Sequence, residues 1–407
     1  MATITGASGA QTVINVGSND ALVQATLGAA ITASLASGAL TQVSSPSQSP
    51  PTGTGLFVQT LANQTTVLGP KTSSVIFTSG GAEVGFGNGT ANQQVLADNG
   101  GLVYNTNGGG GTIIAGDSAN FIATPTTGGG QFSITTGAGN DIIFAQSGTN
   151  TINAGGGVNL FLISGNDTIS LLGSTDIIVG SPTATPGSTI TATEVGSGNV
   201  GIAPGNENLN FVGGAGSATV YAGNGSDTIN LGTGGGIVAG GLAGNNVING
   251  GAGAAGSTLF GGGNNDLLSA NGFAATTLIA GAGNETLTGA NSSANNVFYG
   301  LGSKVTGSVT LQGGSGADAF IIGAPGTVSV NGGPGQDLIA IVAGGRGTVN
   351  IGNFTTAERV TLQGFASTEV ARALSTATVG ASTSLVLADG TKVNFIGVTN
   401  LTSSSFV

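Results

Sequence analysis

One pattern limits what this chain can fold into: a short apolar stretch, then a glycine turn bearing an acid or amide, returning at fixed phase. Ser217–Gly236, Ile237–Gly256, Ser257–Ala275 and Thr276–Ala294 align in one frame, with Asp227, Asn246, Asp266 and Glu285 at steps of 19, 20 and 19 residues. Gly313–Asn331 and Gly332–Asn350 match each other more closely still. Upstream, Asp141, Asn150, Asn159, Asp167 and Asp176 follow at steps of 9, 9, 8 and 9. Two half-units of about nine residues make one coil of about 18, the turn of a two-sheet parallel roll. Each strand is too short to stand alone. Its pleat sends alternate side chains to opposite faces, so Ile143, Ile152, Phe161, Ile169 and Ile178 are expected inward. Stacked coils bury them in rows, and the glycines are expected at reversals that need positive φ.

Composition bears on the alternatives. Glycine supplies 79 of 407 residues, with only 10 Pro and no G-X-Y period, which excludes collagen. A hydrophobic content of 39% excludes a disordered chain. Apolar pairs at constant phase also distinguish the array from a flexible glycine-rich linker. Six basic residues, Lys71, Lys304, Arg346, Arg359, Arg372 and Lys392, are scattered among 17 acidic ones, giving a net charge of −11. No stripe can neutralise phosphates, so nucleic acid is not an expected partner. An anionic membrane surface is not one either.

Three regions follow. Residues 1–70 read as a head, with a helix expected over about 20–40 (Asp20 a possible N-cap) and a Ser/Pro linker at Ser44–Pro51. Residues 71–350 form the glycine-rich array, and 351–407 a β closing module with a hairpin turn at Asp389-Gly390-Thr391. No apolar run reaches the roughly 20 residues of a membrane span. The start of the chain has no basic n-region, so a general secretory leader is not expected. Cysteine is absent, so rigidity outside the cell would have to come from elsewhere, for example metal.

Gly313-Gly314-Ser315-Gly316-Ala317-Asp318-Ala319-Phe320-Ile321 and Gly332-Gly333-Pro334-Gly335-Gln336-Asp337-Leu338-Ile339-Ala340 fill every specified position of G-G-x-G-x-D-x-U-x. Near matches centre on Asp141, Asp167, Asp227, Asp266 and Glu285, while Ala218 stands where the acid belongs in Gly213–Tyr221. The pattern resembles the nonapeptide of the RTX (repeats-in-toxin) proteins. That resemblance implies an all-β parallel β-roll holding Ca2+ between consecutive turns, on glycine-turn carbonyls and Asp carboxylates. Hard oxygen donors in flexible geometry suit Ca2+. It implies Asp318 and Asp337, with Gly314, Gly316, Gly333 and Gly335, as the leading site, then Asp266 with Glu285, and Asp227, Asp141 and Asp167. Asn150, Asn159 and Asn246 depart from the acid, so only a minority of turns is expected to hold metal. Turn capping by the Asp residues without metal stays open as the alternative.

Val349–Phe365 and Leu385–Phe406 resemble the closing region of RTX proteins exported by type I secretion, although Asn353-Phe354 and Glu358-Arg359 stand where acidic residues are usual. Ser403–Val407 is similar to such export signals. The resemblance thus implies type I secretion machinery as a partner and an extracellular or cell-surface place in a Gram-negative bacterium. No His or Cys is present, so no His-based triad, zinc site or thiol nucleophile can form. The GxG turns precede no long helix and are not dinucleotide loops. The chain is expected not to be an enzyme. A calcium-binding structural protein of a surface layer, filament or biofilm matrix, self-associating as a homo-polymer, is the preferred expectation. An adhesin or a glycan- or ice-binding solenoid, with Thr151, Thr168 and Thr228 outward, is the alternative. A secreted polysaccharide-active enzyme ranks below both.

Overall fold

A computed structural model describes residues 2–5, 11–14, 40–42, 56–59, 62–69, 72–77, 81–88, 93–97 and 100–407, apart from 174, 264, 301–306 and 324. They divide into two compact units, Met1–Gly201 and Ile202–Val407. The Ser/Pro linker lies outside the described residues. So does the helix expected over 20–40, except for Leu40, which opens the strand Leu40–Gln42.

In the first unit, strands alternate between two parallel sheets. Gln93–Ala97, Gly109–Ile114, Gly129–Thr135, Thr151–Ala154, Asp167–Leu171 and Thr189–Glu194 follow one another in the first sheet. Glu83–Phe86, Leu102–Asn105, Phe121–Ala123, Ile142–Ala145, Val158–Ile163 and Thr175–Val179 do so in the second. The apolar residues of the repeat account for both. Tyr104, Ile122, Ile143, Phe161 and Ile178 pair strand to strand as one inward row, each 0% exposed. Val95, Ile113, Ile134, Ile152 and Ile169 form the facing row. All five side chains expected inward are buried.

The second unit repeats the plan. Val220, Val238, Leu259, Leu278, Phe298, Phe320, Ile339 and Val360 stack in register in one sheet. Phe211, Ile229, Ile248, Leu268, Leu287, Leu311, Val330 and Ile351 do so in the other. Coil stacking continues beyond residue 350. Arg359–Gln363 lies parallel on Leu338–Val342, and Lys392–Phe395 lies parallel on Thr348–Gly352. Thr383–Val386 then returns antiparallel along Lys392–Phe395, with Gly390 (φ 93°) in the connecting turn, as the Asp-Gly-Thr sequence predicts.

The closing module is not purely β. Glu369–Ser375 is an α-helix, the single one among the described residues, and Ser403–Ser405 forms a 3-10 turn. The α-helix is held against the hairpin by an Arg372–Glu369 ion pair, by Arg372 donating to the Val386 carbonyl at 2.7 Å, and by the Ala388 N–H donating to Glu369 at 2.8 Å.

Candidate functional site: the carboxylate ladders of the turns

At the turns that carry an acid or amide of the repeat, that residue precedes or opens the next strand, as Asp141, Asp167, Asp227, Asp318 and Asp337 do. Because coils stack in register, these residues form ladders along the turn edges. One rule builds them: the side-chain oxygen accepts the backbone N–H of its counterpart one coil earlier. In the first unit Asn120 N–H donates to Asp141 Oδ1 (2.9 Å), Asp141 N–H to Asn159 Oδ1 (3.0 Å) and Asn159 N–H to Asp176 Oδ1 (3.2 Å). On the other edge Asn150 N–H donates to Asp167 Oδ1 at 3.0 Å. In the second unit Asp227 N–H donates to Asn246 Oδ1 (3.1 Å) and Asn246 N–H to Asp266 Oδ1 (2.7 Å). The opposite edge carries Asn296 N–H to Asp318 Oδ1 (2.7 Å) and Asp318 N–H to Asp337 Oδ1 (2.8 Å).

Asn fits this role as well as Asp. Asn120, Asn150, Asn159 and Asn296 also donate their amides to the next carboxylate at 2.8–3.2 Å. Those rungs need no cation, which accounts for the amide substitutions.

The ladders bring some of the sequence-derived candidates together and separate others. Asp318 and Asp337 are neighbours, as are Asp266 and Glu285, where the Asp266 charge bears on Glu285. Asp227 shares a ladder with Asp266, two coils apart with Asn246 between them. Asp141 and Asp167 belong to different edges, preceding second-sheet and opening first-sheet strands respectively. The turn glycines stack closely. A side chain on Gly335 would collide with the Gly316 carbonyl, one on Gly333 with the Gly314 carbonyl, and one on Gly316 with the Ala294 carbonyl. Of these only Gly333 has positive φ (93°). The glycine requirement expected from reversals is therefore mostly a requirement of close approach, carbonyl over Cα.

The carboxylates are not equally satisfied. Asp318 has both oxygens taken, Oδ1 by Asn296 and Oδ2 by the Gly314 N–H at 2.7 Å. Asp141 Oδ2, Asp176 Oδ2, Asp227 Oδ2, Asp337 Oδ2, Glu194 Oε2, Glu285 Oε1 and Glu358 Oε1 are buried with no hydrogen-bond partner. Burial pushes Asp227 and Asp337 up to about 6 and Glu285 up to about 8. It also raises Asp141, Asp176, Glu194, Asp266, Asp318 and Glu358. Neighbouring carboxylates add to the shift at Asp227, Glu285 and Asp337. No Lys or Arg neutralises them, since the Arg372–Glu369 contact is the ion pair found among the described residues.

Buried anions with open oxygens and no cationic side chain are costly unless a cation joins them. No three His, Cys, Asp or Glu side chains gather at one point among the described residues. The carboxylates could thus supply only one or two ligands each, and glycine-turn carbonyls the remainder. That hard, all-oxygen donor set fits Ca2+. Sequence reasoning passed over Glu194 and Glu358. Glu358 carries a readable signal, since Glu-Arg-Val-Thr-Leu repeats the phase of Asp-Leu-Ile-Ala-Ile 21 residues after Asp337. Glu194 ends its strand, and the repeat frame has no place for it.

A family model for the RTX calcium-binding nonapeptide repeat matches in four copies over residues 133–161, 210–238 and 241–254, which hold Asp141, Asn150, Asn159, Asp227 and Asn246. No curated protein matches the chain. Repeats of this kind bind calcium, and the matched stretches, 72 of the 407 residues, are RTX calcium-binding repeats lying within the parallel coils of the two units.

Proposed function

We propose that this calcium-binding repeat protein is a secreted structural subunit that associates with further copies of itself in an extracellular surface layer, filament or matrix. The observation that carries the reading is the outward side of the second sheet. In the first unit Val84, Val103, Phe121, Ile142, Leu160 and Ile177 pair strand to strand as one outward row. Ala123, Phe144, Leu162 and Val179 run beside them. No charged residue interrupts either run. The first sheet of the same unit is a built-in comparison: its outward row is Gln94, Thr112, Ser133, Thr151, Thr168 and Thr191. Strand composition alone does not explain an apolar outer face, because one roll carries both.

The occupant we infer is a second copy. Val67, Phe86, Val103, Phe121, Ile142, Val158, Ile177 and Val179 are each 37–52% exposed. On ordinary residue surfaces this amounts to roughly 600 Å2, at the upper end of what one monomer leaves in a patch and close to the ~800 Å2 per partner of a stable pair. A second copy presents side chains at the same coil spacing, about 4.8 Å, so the two faces interdigitate about a two-fold axis. Light scattering on the purified chain in millimolar Ca2+ should show assemblies, and electron microscopy should show their order. The double substitution Ile142→Asp and Ile177→Asp should return the chain to monomer. A chain that stays monomeric at high concentration in Ca2+ fails the reading. If removing residues 1–55 is what releases association, the chain's own apolar segment 21–40 covers the face instead.

RTX repeat proteins are typically secreted by Gram-negative bacteria, and type I export with an extracellular place is part of this proposal. The ladders leave the buried oxygens of Asp337, Asp227 and Glu285 as the calcium ligands we favour, with the Gly316 carbonyl of the preceding coil near Asp337. The hydroxyl row of the first sheet favours a second reading, a polar ligand such as a cell-surface glycan bound as by an adhesin. Loss of glycan retention in T151V/T168V, with assembly intact, would select it. Neither reading includes a catalysed reaction.

A further inference from the structure

We propose that Asp337 and Glu358 form a divalent-cation site that ties the closing module to the roll. The site rests on the calcium-binding reading, yet it lies outside the residues matched by the repeat model and takes one ligand from a position outside the nonapeptide frame.

The fold creates the juxtaposition. Arg359–Gln363 stacks parallel on Leu338–Val342 with Leu338 opposite Arg359, and the Arg359 N–H donates to the Asp337 carbonyl at 2.9 Å. The residues preceding the two strands, Asp337 and Glu358, are thereby one coil apart on the same edge. They are 2% and 1% exposed. One oxygen of each is used by the protein: Asp337 Oδ1 accepts the Asp318 N–H, and Glu358 Oε2 accepts the Thr355 N–H. The other oxygens, Asp337 Oδ2 and Glu358 Oε1, have no partner. Both of these open oxygens face Gly332, where an added Cβ would strike each of them. Absence of a side chain at 332 leaves the space into which two anions converge.

No ion pair with a cationic side chain fills it among the described residues. The nearest guanidinium in sequence, that of Arg359, donates at 2.7 Å to the carbonyls of Thr356 and Glu358 rather than to a carboxylate. Asp318 is the internal comparison. It occupies the same position of an identical nonapeptide frame, yet both its oxygens are bonded to Asn296 and Gly314. Of the two full nonapeptides, only the second, on which Glu358 stacks, carries the open pair. Two buried carboxylates aimed at one point cannot both stay ionised unless a counter-ion joins them. A hard divalent ion that accepts carboxylate, carbonyl and water oxygens together meets that need.

The test uses the full chain. Calcium stoichiometry by equilibrium dialysis should fall by one ion per chain in E358Q and equally in D337N, with no further loss in the double variant. In the unaltered protein, Ca2+ should slow amide hydrogen exchange over residues 355–362. That measurement decides the matter should either variant fail to fold. A protein that binds no Ca2+ at all sinks the calcium reading itself. Binding by the unaltered chain with full stoichiometry kept in E358Q, as a proton shared between the carboxyls would give, overturns this site alone. Unchanged exchange over residues 355–362 does the same.

Discussion

At the scale of single residues, the turns place two different demands on glycine, and substitutions separate them. Gly335 has an ordinary φ but sits against the Gly316 carbonyl. Gly335→Ala should cost about 1–3 kcal/mol through overpacking between coils. Gly390 has open space around it and φ 93°. Gly390→Ala should cost about 1 kcal/mol, from backbone strain alone. Urea melts of both variants, with and without Ca2+, measure the difference.

Acid titration reads the ladders at the same scale. Asp227 and Asp337, raised to about 6, and Glu285, raised to about 8, hold protons more tightly folded than unfolded. A raised carboxyl pKa gives stability that is complete below the unfolded value and lost as pH climbs through the folded one. In chelator the melting temperature should therefore fall from about pH 4 to pH 8. Ca2+, which needs the ionised form, should flatten or reverse that fall in calorimetry. A flat profile in chelator would mean that these carboxyls are solvated. The positions of Asp141, Asp167, Asp227, Asp266, Glu285, Asp318 and Asp337 were legible in the spacing, whereas that of Glu194 was not. Which acids keep an open oxygen was not, because Asp318 and Asp337 stand in matching nonapeptides and differ only in the neighbours that stacking supplies.

At the scale of elements, strands are set by inward rows, and each row residue is supported chiefly by the coil on either side. Phe298 lies 4.8 Å from Phe320 at 12° between ring planes, both fully buried. Phe298→Ala should cost about 3–5 kcal/mol. In a stack where each coil touches only its neighbours, the accompanying gain in hydrogen exchange should centre on the strands Thr277–Ile279, Val297–Gly300 and Ala319–Ile322. Uniform loss of protection across the second unit would show longer cooperativity than nearest neighbours provide. These strands could be read from apolar pairs at constant phase. The helix Glu369–Ser375 could not. Seven residues give too little amphipathic pattern, and what fixes it is tertiary: Arg372 on the Val386 carbonyl and Ala388 on the Glu369 carboxylate. Glu369→Ala should accordingly loosen the hairpin by about 1–3 kcal/mol, visible as faster exchange at Ala388.

At the scale of the whole molecule, charge and surface act together. A chain of net charge −11 with 6 basic residues repels its own copies until cations are bound. Calcium should then promote association twice, by ordering the turns and by lowering the net charge. Mg2+, which demands a tighter octahedral shell, should screen the charge without restoring the turns. Sedimentation in equal Ca2+ and Mg2+ tests this, with assemblies expected in Ca2+ only.

The ladders also have a direction. Each buried rung takes its N–H from the earlier coil and its oxygen from the later one, as in Asn159 to Asp176 and Asp318 to Asp337, while the exposed asparagines beside them bond the other way, as in Val158 N–H to Asn140 Oδ1. Removing coils from opposite ends is consequently not symmetric. Loss of a later coil bares an N–H, which water satisfies without any change of charge. Loss of an earlier coil merely uncovers a carboxylate, which water solvates readily. Trimming the start of such a roll should therefore add negative charge at the coil it uncovers, and trimming its end should not.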